Sequence, residues 1–410
     1  MGITVISVMA PKGDTAPLST RRRNRVQVLD ALRSSGAASR ADLARTTGLS
    51  RSTISGLITE LIADGLVVDR DETSSAGSQG GRPGALLSLD RSAGTALAID
   101  FGHTHLRVAL ADLSAEILGE REMQIDVDGS ASEALDAAAA LAREVLSDVG
   151  LSVDNLIGVA MGLPGPIDSA SGAVGSSVIL PDWVGLQPAQ EIGRRLGSDV
   201  GVIVDNDANL ATLGEARFGA GIGVQDLVYV KVASGIGAGI LLGGRLHRGA
   251  AGSAGELGHV LHDPEGEICR CGNRGCLETV AGASTLLRLL RRRHGPDLTT
   301  RDLVELAQGG DVGAKRVLVD AGRAIGRSLA DLCNVLGPER VVIGGDLGGT
   351  DSALLEGIRE SLGRFALPAV VGSVELVGGQ LGGRAELLGG LSLVIGDTER
   401  LSSSRMGVAR

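Results

Sequence analysis

The amino-acid sequence predicts an α/β protein that carries a small helical domain at its amino terminus. Its 410 residues exceed one ordinary domain and favour two or three. Glycine is abundant, with 63 residues, whereas aromatic residues make up only 1% of the chain, so aliphatic side chains must build the cores between frequent tight turns. From residue 94 onwards, strand-like and helix-like patterns alternate, which is typical of α/β folds.

The first ninety residues predict three helices followed by two short strands. Residues 1–20 lack periodicity and predict a tail. Three consecutive arginines then lead into a first helix, and a second helix is predicted to end at Gly48. Ser50 is a natural N-cap for a third helix, RSTISGLITELIADG, whose apolar residues fall on one face. A strand (LVVD), a loop rich in Ser and Gly, and a returning strand (ALLSL) complete the pattern.

This order of elements predicts a winged helix-turn-helix domain over residues 21–90. In such a domain the third helix enters the major groove, where arginine can pair with guanine and hydroxyl groups can reach bases or phosphates. The segment GGRPG would form a wing whose arginine reaches a minor groove. The alternative is a dimerisation or protein-binding module of three small helices. The predicted DNA-binding residues are Arg51, Ser52, Thr53, Ser55 and Arg82.

The net charge of −10 is unevenly distributed. Residues 1–90 hold 11 Lys+Arg and 9 Asp+Glu, a balance of +2, and the remainder holds 28 and 40, a balance of −12. The asymmetry indicates that only the amino-terminal part meets an acidic partner, although +2 is a weak charge. No apolar run reaches the ~18 residues of a membrane span, and no basic segment precedes the short apolar start. We therefore expect a cytoplasmic protein with no membrane partner, associated with the nucleoid when bound to DNA.

The remaining residues predict two successive series of strands and helices. The first series contains a hairpin (GTALAIDFG and HLRVALADL), a helix (EALDAAAALAREVLSDVG), a strand entering a glycine–proline loop (LIGVAMGLPGP) and a strand ending in carboxylates (VGVIVDNDAN). The second series opens with a strand, a tight turn and a strand (DLVYVKVASGIGAGILL). It continues with helices at 283–293, 300–308 and 313–336, a strand (ERVVIGGDLG) and a final helix (AELLGGLSLVIG).

A cluster of cysteines predicts a metal site. Three of the four cysteines lie within the eight residues CRCGNRGC, which is typical of metal ligands in a reducing compartment and not of a disulfide framework. Three thiolates and one imidazole form a closed tetrahedral set that zinc prefers, so the zinc is predicted to be structural and to fix the loop carrying Glu256 and Glu278. The alternatives are a metal-free cluster and, for the imidazole, His262. The predicted ligands are His259, Cys269, Cys271 and Cys276.

Two motifs carry a resemblance to a known family. GELGH followed by CRCGNRGCLE closely resembles the signature of the ROK family, which comprises bacterial repressors, uncharacterised open reading frames and sugar kinases. The amino-terminal domain with its GRP wing resembles the repressor branch, exemplified by xylose and N-acetylglucosamine repressors. The resemblance covers residues 21 to about 397. It implies an actin-like, hexokinase-like core of two α/β lobes around a cleft, with lobe 1 at 91–205 plus helix 384–397, lobe 2 with the zinc motif at 206–383, and a tail at 398–410.

The resemblance also implies a sugar pocket in the cleft. Asp207 matches the position that acts as general base in the ROK kinases. A carboxylate near the reacting hydroxyl can take its proton, so this residue type suits the role. His259 would bind zinc through one ring nitrogen and sugar through the other. The GLPG loop resembles a lining of the same pocket. The alternatives are a helix cap for Asp207, a surface ion pair with Arg274 for Glu278, and a plain turn for GLPG. The implied sugar ligands are Asn206, Asp207, Glu256, His259 and Glu278.

The nucleotide half of the implied cleft is degenerate. Phosphoryl transfer needs backbone amides around the phosphates, a carboxylate associated with Mg²⁺ and a base. ROK kinases have a first phosphate loop of the type Asp-x-Gly-Gly-Thr-Lys, but here His103 replaces the second glycine and His105 replaces the lysine, so His103 is expected to obstruct phosphate. A second loop (SGIG) and an adenosine-contacting Gly-Gly turn are retained. The matching nucleotide residues are Asp100, Gly102, Thr104, Ser234, Gly235, Gly237, Gly344 and Gly345.

These features predict a DNA-binding transcriptional regulator, a repressor, of carbohydrate-metabolism genes that is controlled by a sugar or sugar derivative. Its partners are double-stranded operator DNA and a second copy in a homodimer or homotetramer, because lobe closure would alter the spacing of two winged helices. The alternative is an ATP-dependent sugar kinase with an appended DNA-binding domain, with Mg·ATP as cofactor and Asp207 as the catalytic base. A third hypothesis is a sensor that binds a phosphotransferase-system protein instead of a sugar.

Overall fold

A computed structural model of the chain describes residues 20–70, 86–168, 171–175, 179–349 and 353–396. The chain divides into two compact units, one within residues 1–90 and one within residues 91–168 and 172–410. Among the described helices, none is both long and apolar enough to cross a lipid bilayer. The predicted tails, apart from Thr20, and the predicted wing residue Arg82 lie outside the described residues.

The amino-terminal unit contains three helices and a two-stranded antiparallel sheet. Its elements are α1 (Thr20–Ser35), α2 (Arg40–Thr47), α3 (Arg51–Ala63), β1 (Val67–Arg70) and β2 (Leu86–Leu89). The predicted end of the second helix is confirmed, because Gly48 follows α2 with a φ of 70° and closes it in the left-handed conformation. The predicted N-cap is also confirmed, because the Ser50 hydroxyl accepts a hydrogen bond from the Thr53 backbone N–H.

The core of this unit is aliphatic, as its sequence predicts. Ile54, Leu57, Ile58 and Leu61 form the buried face of α3. Helix α3 contacts α1 and α2. Leu32, Leu43 and Leu87 of α1, α2 and β2 are also buried. Burial of this face leaves the opposite face of α3 exposed to solvent.

The first sheet of the second unit has the strand order β5-β4-β3-β6-β7, in which β3, β6 and β7 are parallel. The antiparallel hairpin of β3 and β4 confirms the predicted one. Strand β6 is buried along its whole length, as its continuous apolar run predicts. The elements are β3 (Thr95–Phe101), β4 (His105–Ala111), β5 (Ile117–Gln124), α4 (Ala131–Asp148), β6 (Leu156–Leu163), α5 (Pro188–Leu196) and β7 (Val202–Asn206).

The second sheet has the order β10-β9-β8-β11-β12 and is covered by several helices. Strand β8 forms an antiparallel hairpin with β9 and a parallel pair with β11. The elements are α6 (Asp207–Phe218), β8 (Leu227–Val232), β9 (Ile236–Leu242), β10 (Arg245–Leu246), α7 (Glu278–Ala281), α8 (Ala283–His294), α9 (Thr300–Gln308), α10 (Val312–Leu336), β11 (Arg340–Gly344), α11 (Ala353–Phe365), α12 (Pro368–Ser373), β12 (Glu375–Gly378) and α13 (Ala385–Gly396).

Helix α13 returns to the first sheet and also packs closely against α6. Glycines make this contact possible. A Cβ on Gly389 would lie 1.7 Å from the backbone oxygen of Leu210, and a Cβ on Gly390 would lie 3.1 Å from the Cβ of Ala160. This contact fixes the first residues of α6 relative to those of α13, and both lie at the floor of the cleft described below.

Candidate functional site

A cavity of about 590 Å³ opens where loops of the two sheets face each other. Strands β3, β6 and β7 are parallel, so their carboxyl ends deliver loop residues to the same edge of the first sheet. All five residues implied as sugar ligands line this cavity, together with Gly102, Thr104, Ser234, Gly235, Gly237 and Gly345. The two other residues of the implied nucleotide site lie behind it. Asp100 is buried, and Gly344 lies against the Tyr229 ring.

Asp207 begins α6, and both of its carboxylate oxygens are engaged. Oδ1 accepts a hydrogen bond of 2.8 Å from the Ala208 backbone N–H, and Oδ2 lies 2.9 Å from the ammonium of Lys231. The same ammonium lies 2.6 Å from Oε1 of Glu386, at the start of α13. Burial acts to lower the pKa of Lys231, but the neighbouring carboxylates, Asp207 first among them, raise it well above its ordinary value. The cleft floor therefore holds a permanently charged lysine.

Asn206 is the N-cap of α6 and also anchors a loop. Its Oδ1 accepts a hydrogen bond of 3.1 Å from the Asn209 backbone N–H, while its Nδ2 donates one of 3.0 Å to the carbonyl of Gly165. The predicted GLPG lining is thus tied directly to the start of α6. The helix cap that the sequence left open for Asp207 belongs to Asn206.

Glu278 joins three parts of the site. Its Oε2 accepts a hydrogen bond of 3.1 Å from the Ile236 backbone N–H in the second phosphate loop, and its Oε1 accepts one of 3.1 Å from Nε of Arg270 in the cysteine segment. A Cβ on Gly235 would lie 2.4 Å from Oε2, so a glycine is needed to admit this carboxylate. The alternative partner Arg274 instead donates to the carbonyl of Gly266.

Glu256 has a distinct electrostatic environment. Burial raises its pKa to about 7, and the negative charges of Asp207 and Glu278 act in the same direction. Three carboxylates therefore face one pocket, which suits a ligand with several hydroxyl donors.

The four predicted metal ligands converge and could hold a metal ion, because their ligand atoms all lie within 4.8 Å of one another. The Sγ of Cys269 lies 3.6 Å from Nδ1 of His259, and the Sγ atoms of Cys271 and Cys276 are 3.6 Å apart. Neighbouring ligand atoms around a tetrahedral ion with bonds of about 2.3 Å lie about 3.7 Å apart, so the donor set fits zinc.

His259 faces the metal cluster and the cleft together. Its Nδ1 points to Cys269, whereas its Nε2 lies 3.8 Å from Oε2 of Glu256. A metal on Nδ1 would fix the tautomer in which Nε2 carries the proton and faces the cleft.

The first phosphate loop is a tight turn filled by side chains. His103 is held by Asp128, whose Oδ1 lies 2.8 Å from Nδ1 of the ring. The ring of His105 packs against Gly102, because a Cβ on Gly102 would lie 2.2 Å from Cε1 of that ring. His103 and His105 both line the cavity, and the obstruction of phosphate expected from His103 stays a prediction.

The amino-terminal unit presents the first turn of α3 to solvent. Arg51, Ser52 and Ser55 are exposed, whereas Thr53 is half-buried and its Oγ1 lies 2.8 Å from the Ser50 hydroxyl. Three of the four described DNA-binding candidates are thus accessible, and Thr53 is engaged by the cap.

Comparison with known proteins identifies the family. Residues 96–397, more than half of the chain, match the ROK family. The chain belongs to the ROK family. Residues 20–75 match the MarR family. The xylose repressor of Caldicellulosiruptor bescii is 28% identical over 91% of this chain and 96% of its own length. The glucokinase of Halalkalibacterium halodurans is 33% identical over 72% of this chain and 93% of its own.

One solved structure is similar to nearly the whole of this chain, including its amino-terminal unit. It is described as a ROK family transcriptional regulator, homologous to the Escherichia coli Mlc protein, and has 26% sequence identity and a TM-score of 0.76. The match covers 95% of this chain and 98% of that one. The predicted actin/hexokinase-like fold with an amino-terminal winged helix-turn-helix domain is confirmed.

The ROK cleft contains functional candidates that the sequence did not reveal. Lys231 and Glu386 form its charged floor, and Arg270 connects it to the cysteine segment. One signal was available, because Lys231 is one of three lysines in the chain and interrupts an otherwise apolar strand. Glu386 lies at the start of a glycine-rich apolar helix, and the residues beside it in the sequence do not indicate a contact with Lys231.

Proposed function

We propose that this ROK protein is a DNA-binding transcriptional repressor of carbohydrate-metabolism genes, controlled by a sugar or sugar derivative in the cleft. One observation carries the proposal: the chain that presents an exposed α3 terminus also has a carboxylate-lined cleft in which His105 packs against Gly102 of the first phosphate loop. Such a cleft can bind hydroxyl groups but is poorly suited to nucleotide. The similarity to a xylose repressor over 91% of the chain supports the same function.

The metal in this proposal is a structural Zn²⁺. The ligands are His259, Cys269, Cys271 and Cys276, and they leave no coordination position for water or substrate. When bound, zinc supplies no chemical step and only fixes the segment that carries Arg270. Through Arg270 and His259, the segment then positions Glu278 and Glu256 towards the ligand.

The regulatory partners are operator DNA and a second copy of the chain in a homodimer or homotetramer. A dimer of helix-turn-helix units binds two half-sites whose spacing is fixed by the DNA helix, so a small change between subunits alters affinity. An effector can shift this balance only if it binds one state more tightly than the other.

The decisive test is an operator-binding titration. The operator is first selected from genomic fragments with the full-length protein, and binding is then measured by gel shift across a panel of pentoses, hexoses and amino sugars. We expect one sugar class to change the affinity. If no sugar changes the operator affinity and a purified phosphotransferase carrier protein does, the effector is that protein and the sugar hypothesis is wrong.

Arg51→Ala tests the DNA-binding face. Arg51 is exposed at the start of α3, where an arginine can pair with guanine through two hydrogen bonds. We expect operator affinity to fall roughly 10- to 100-fold, as for the loss of one such contact. Fluorescence anisotropy at fixed salt measures it. Arg301→Ala, which removes an arginine that is 88% exposed in the other unit, is the matched control and should leave affinity unchanged. Equal affinities for wild type and Arg51→Ala would exclude this face.

The kinase alternative is supported by the similarity to a glucokinase over 72% of the chain. A coupled assay with Mg·ATP across the same sugar panel addresses it. Turnover that disappears in Asp207→Asn would show that the cleft catalyses phosphoryl transfer and does not only sense.

A further inference from the structure

Three buried or nearly buried carboxylates surround the ammonium of Lys231. Asp207 and Glu386 contact it at 2.9 and 2.6 Å, and Asp100 acts on it through its charge. Asp100 and Glu386 are only 1% and 3% exposed. Within the described part of the chain, both oxygens of Asp100 and Oε2 of Glu386 have no hydrogen-bond partner. Buried carboxylates of this kind require a compensating positive charge, and Lys231 provides it.

The same ammonium connects elements that belong to different sheets. Lys231 lies on β8 of the second sheet, Asp207 begins α6, and Glu386 begins α13, which packs on the first sheet. The close glycine-mediated contact of α6 with α13 fixes the two carboxylates, so the ammonium has a defined position between them.

This arrangement conflicts with the requirements of phosphoryl transfer. That reaction needs a metal ion near the phosphates and a carboxylate free to accept a proton. Here Oδ2 of Asp207 contacts an ammonium and Oδ1 accepts from the Ala208 N–H, while each oxygen keeps a further lone pair for a hydrogen bond from a ligand. A divalent cation beside Lys231 would also meet like-charge repulsion at short range. The ring of His105 also packs against Gly102 in the first phosphate loop.

We propose that Lys231 is a resident cation that takes the place of the metal–nucleotide charge in this cleft and keeps Asp207 as a hydrogen-bond acceptor for the effector. The cleft therefore works without divalent metal or nucleotide. This rests on the cleft being the effector site, but its test needs neither an effector nor an operator.

The test compares full-length wild type with Lys231→Met, which keeps the length of the side chain and removes its charge. We expect the Tm of the variant to fall by roughly 5–10 °C, because Asp207 and Glu386 lose the one ammonium that contacts both of them. Millimolar Mg²⁺ should recover part of that loss, since the carboxylates left without their ammonium can now accept a metal, whereas the wild-type Tm should not respond. Calorimetry should detect no binding of Mg·AMPPNP to the wild type.

Two further variants control the result. Lys315→Met removes a surface lysine that is 55% exposed and should leave both the Tm and the response to Mg²⁺ as in the wild type. Lys231→Met combined with Glu386→Gln removes one unbalanced charge, so it should be more stable than the single variant and respond less to Mg²⁺. If the single variant does not fold, recovery of soluble protein by the double variant supports the proposal. Binding of Mg·AMPPNP by the wild type, or a stable Lys231→Met that ignores Mg²⁺, would overturn it.

Discussion

Cys271→Ser is expected to give a protein without zinc whose operator binding no longer responds to the effector. A serine hydroxyl is a much weaker zinc ligand than a thiolate, and structural zinc in small motifs contributes on the order of 10 kcal/mol of apparent binding free energy. Without the metal, the tautomer of His259 and the position of Arg270 are no longer fixed. The cleft then loses the supports of Glu256 and Glu278 together.

Zinc content by inductively coupled plasma spectrometry and operator titration with effector measure the two effects separately. Cys333→Ala is the matched control, because Cys333 is buried on α10 and is not part of the metal cluster. That variant should retain one zinc per chain and a normal response, apart from a small loss of packing. A zinc-free Cys271→Ser protein with a normal effector response would contradict the coupling, even though the metal assignment would stand.

The same substitution, glycine to alanine, is expected to have opposite effects at two helix positions. Gly389→Ala should destabilise the protein by about 1–3 kcal/mol, because the added Cβ would lie 1.7 Å from a backbone oxygen of α6 that cannot move alone. Gly363→Ala should stabilise it by about 0.5–1 kcal/mol, because no atom lies within 4 Å and alanine is the better helix former.

Urea unfolding followed by circular dichroism compares the two variants, with the wild type as reference. Gly389→Ala should also disturb the charged floor of the cleft, since α6 carries Asp207 and α13 carries Glu386. Equal midpoints for the two variants would show that α6 and α13 are not in close contact in solution.

The parts of the site that sequence predicted well depend on neighbours in the chain. The three clustered cysteines lie within eight residues, and glycine turns between them are local features. The caps of α2 and α3 depend on residues three positions apart. Such patterns are visible without knowledge of the fold, so the ligand set and the helix-turn-helix order could be inferred directly.

The parts that sequence missed depend on distant residues or on weak patterns. Lys231 meets Glu386 only because α13 returns across the first sheet. Strand β5 was not predicted, because most of its side chains are exposed at the sheet edge and ILGEREMQ lacks a buried alternating face. Helix α6 was not predicted separately from the strand before it, since Asn206 ends β7 and caps α6 without an intervening loop.

The return of α13 to the first sheet has a consequence for biosynthesis. The amino-terminal unit is made of local contacts and can fold as soon as it leaves the ribosome, whereas β3 and β6 lack their covering helix until α13 has been translated. For most of translation, the amino-terminal unit is therefore attached to an incompletely folded, aggregation-prone ROK core. A fragment that ends before α13 would carry the amino-terminal unit without a completed ROK core. Clearance of such fragments by chaperones and proteases would keep them from occupying operators.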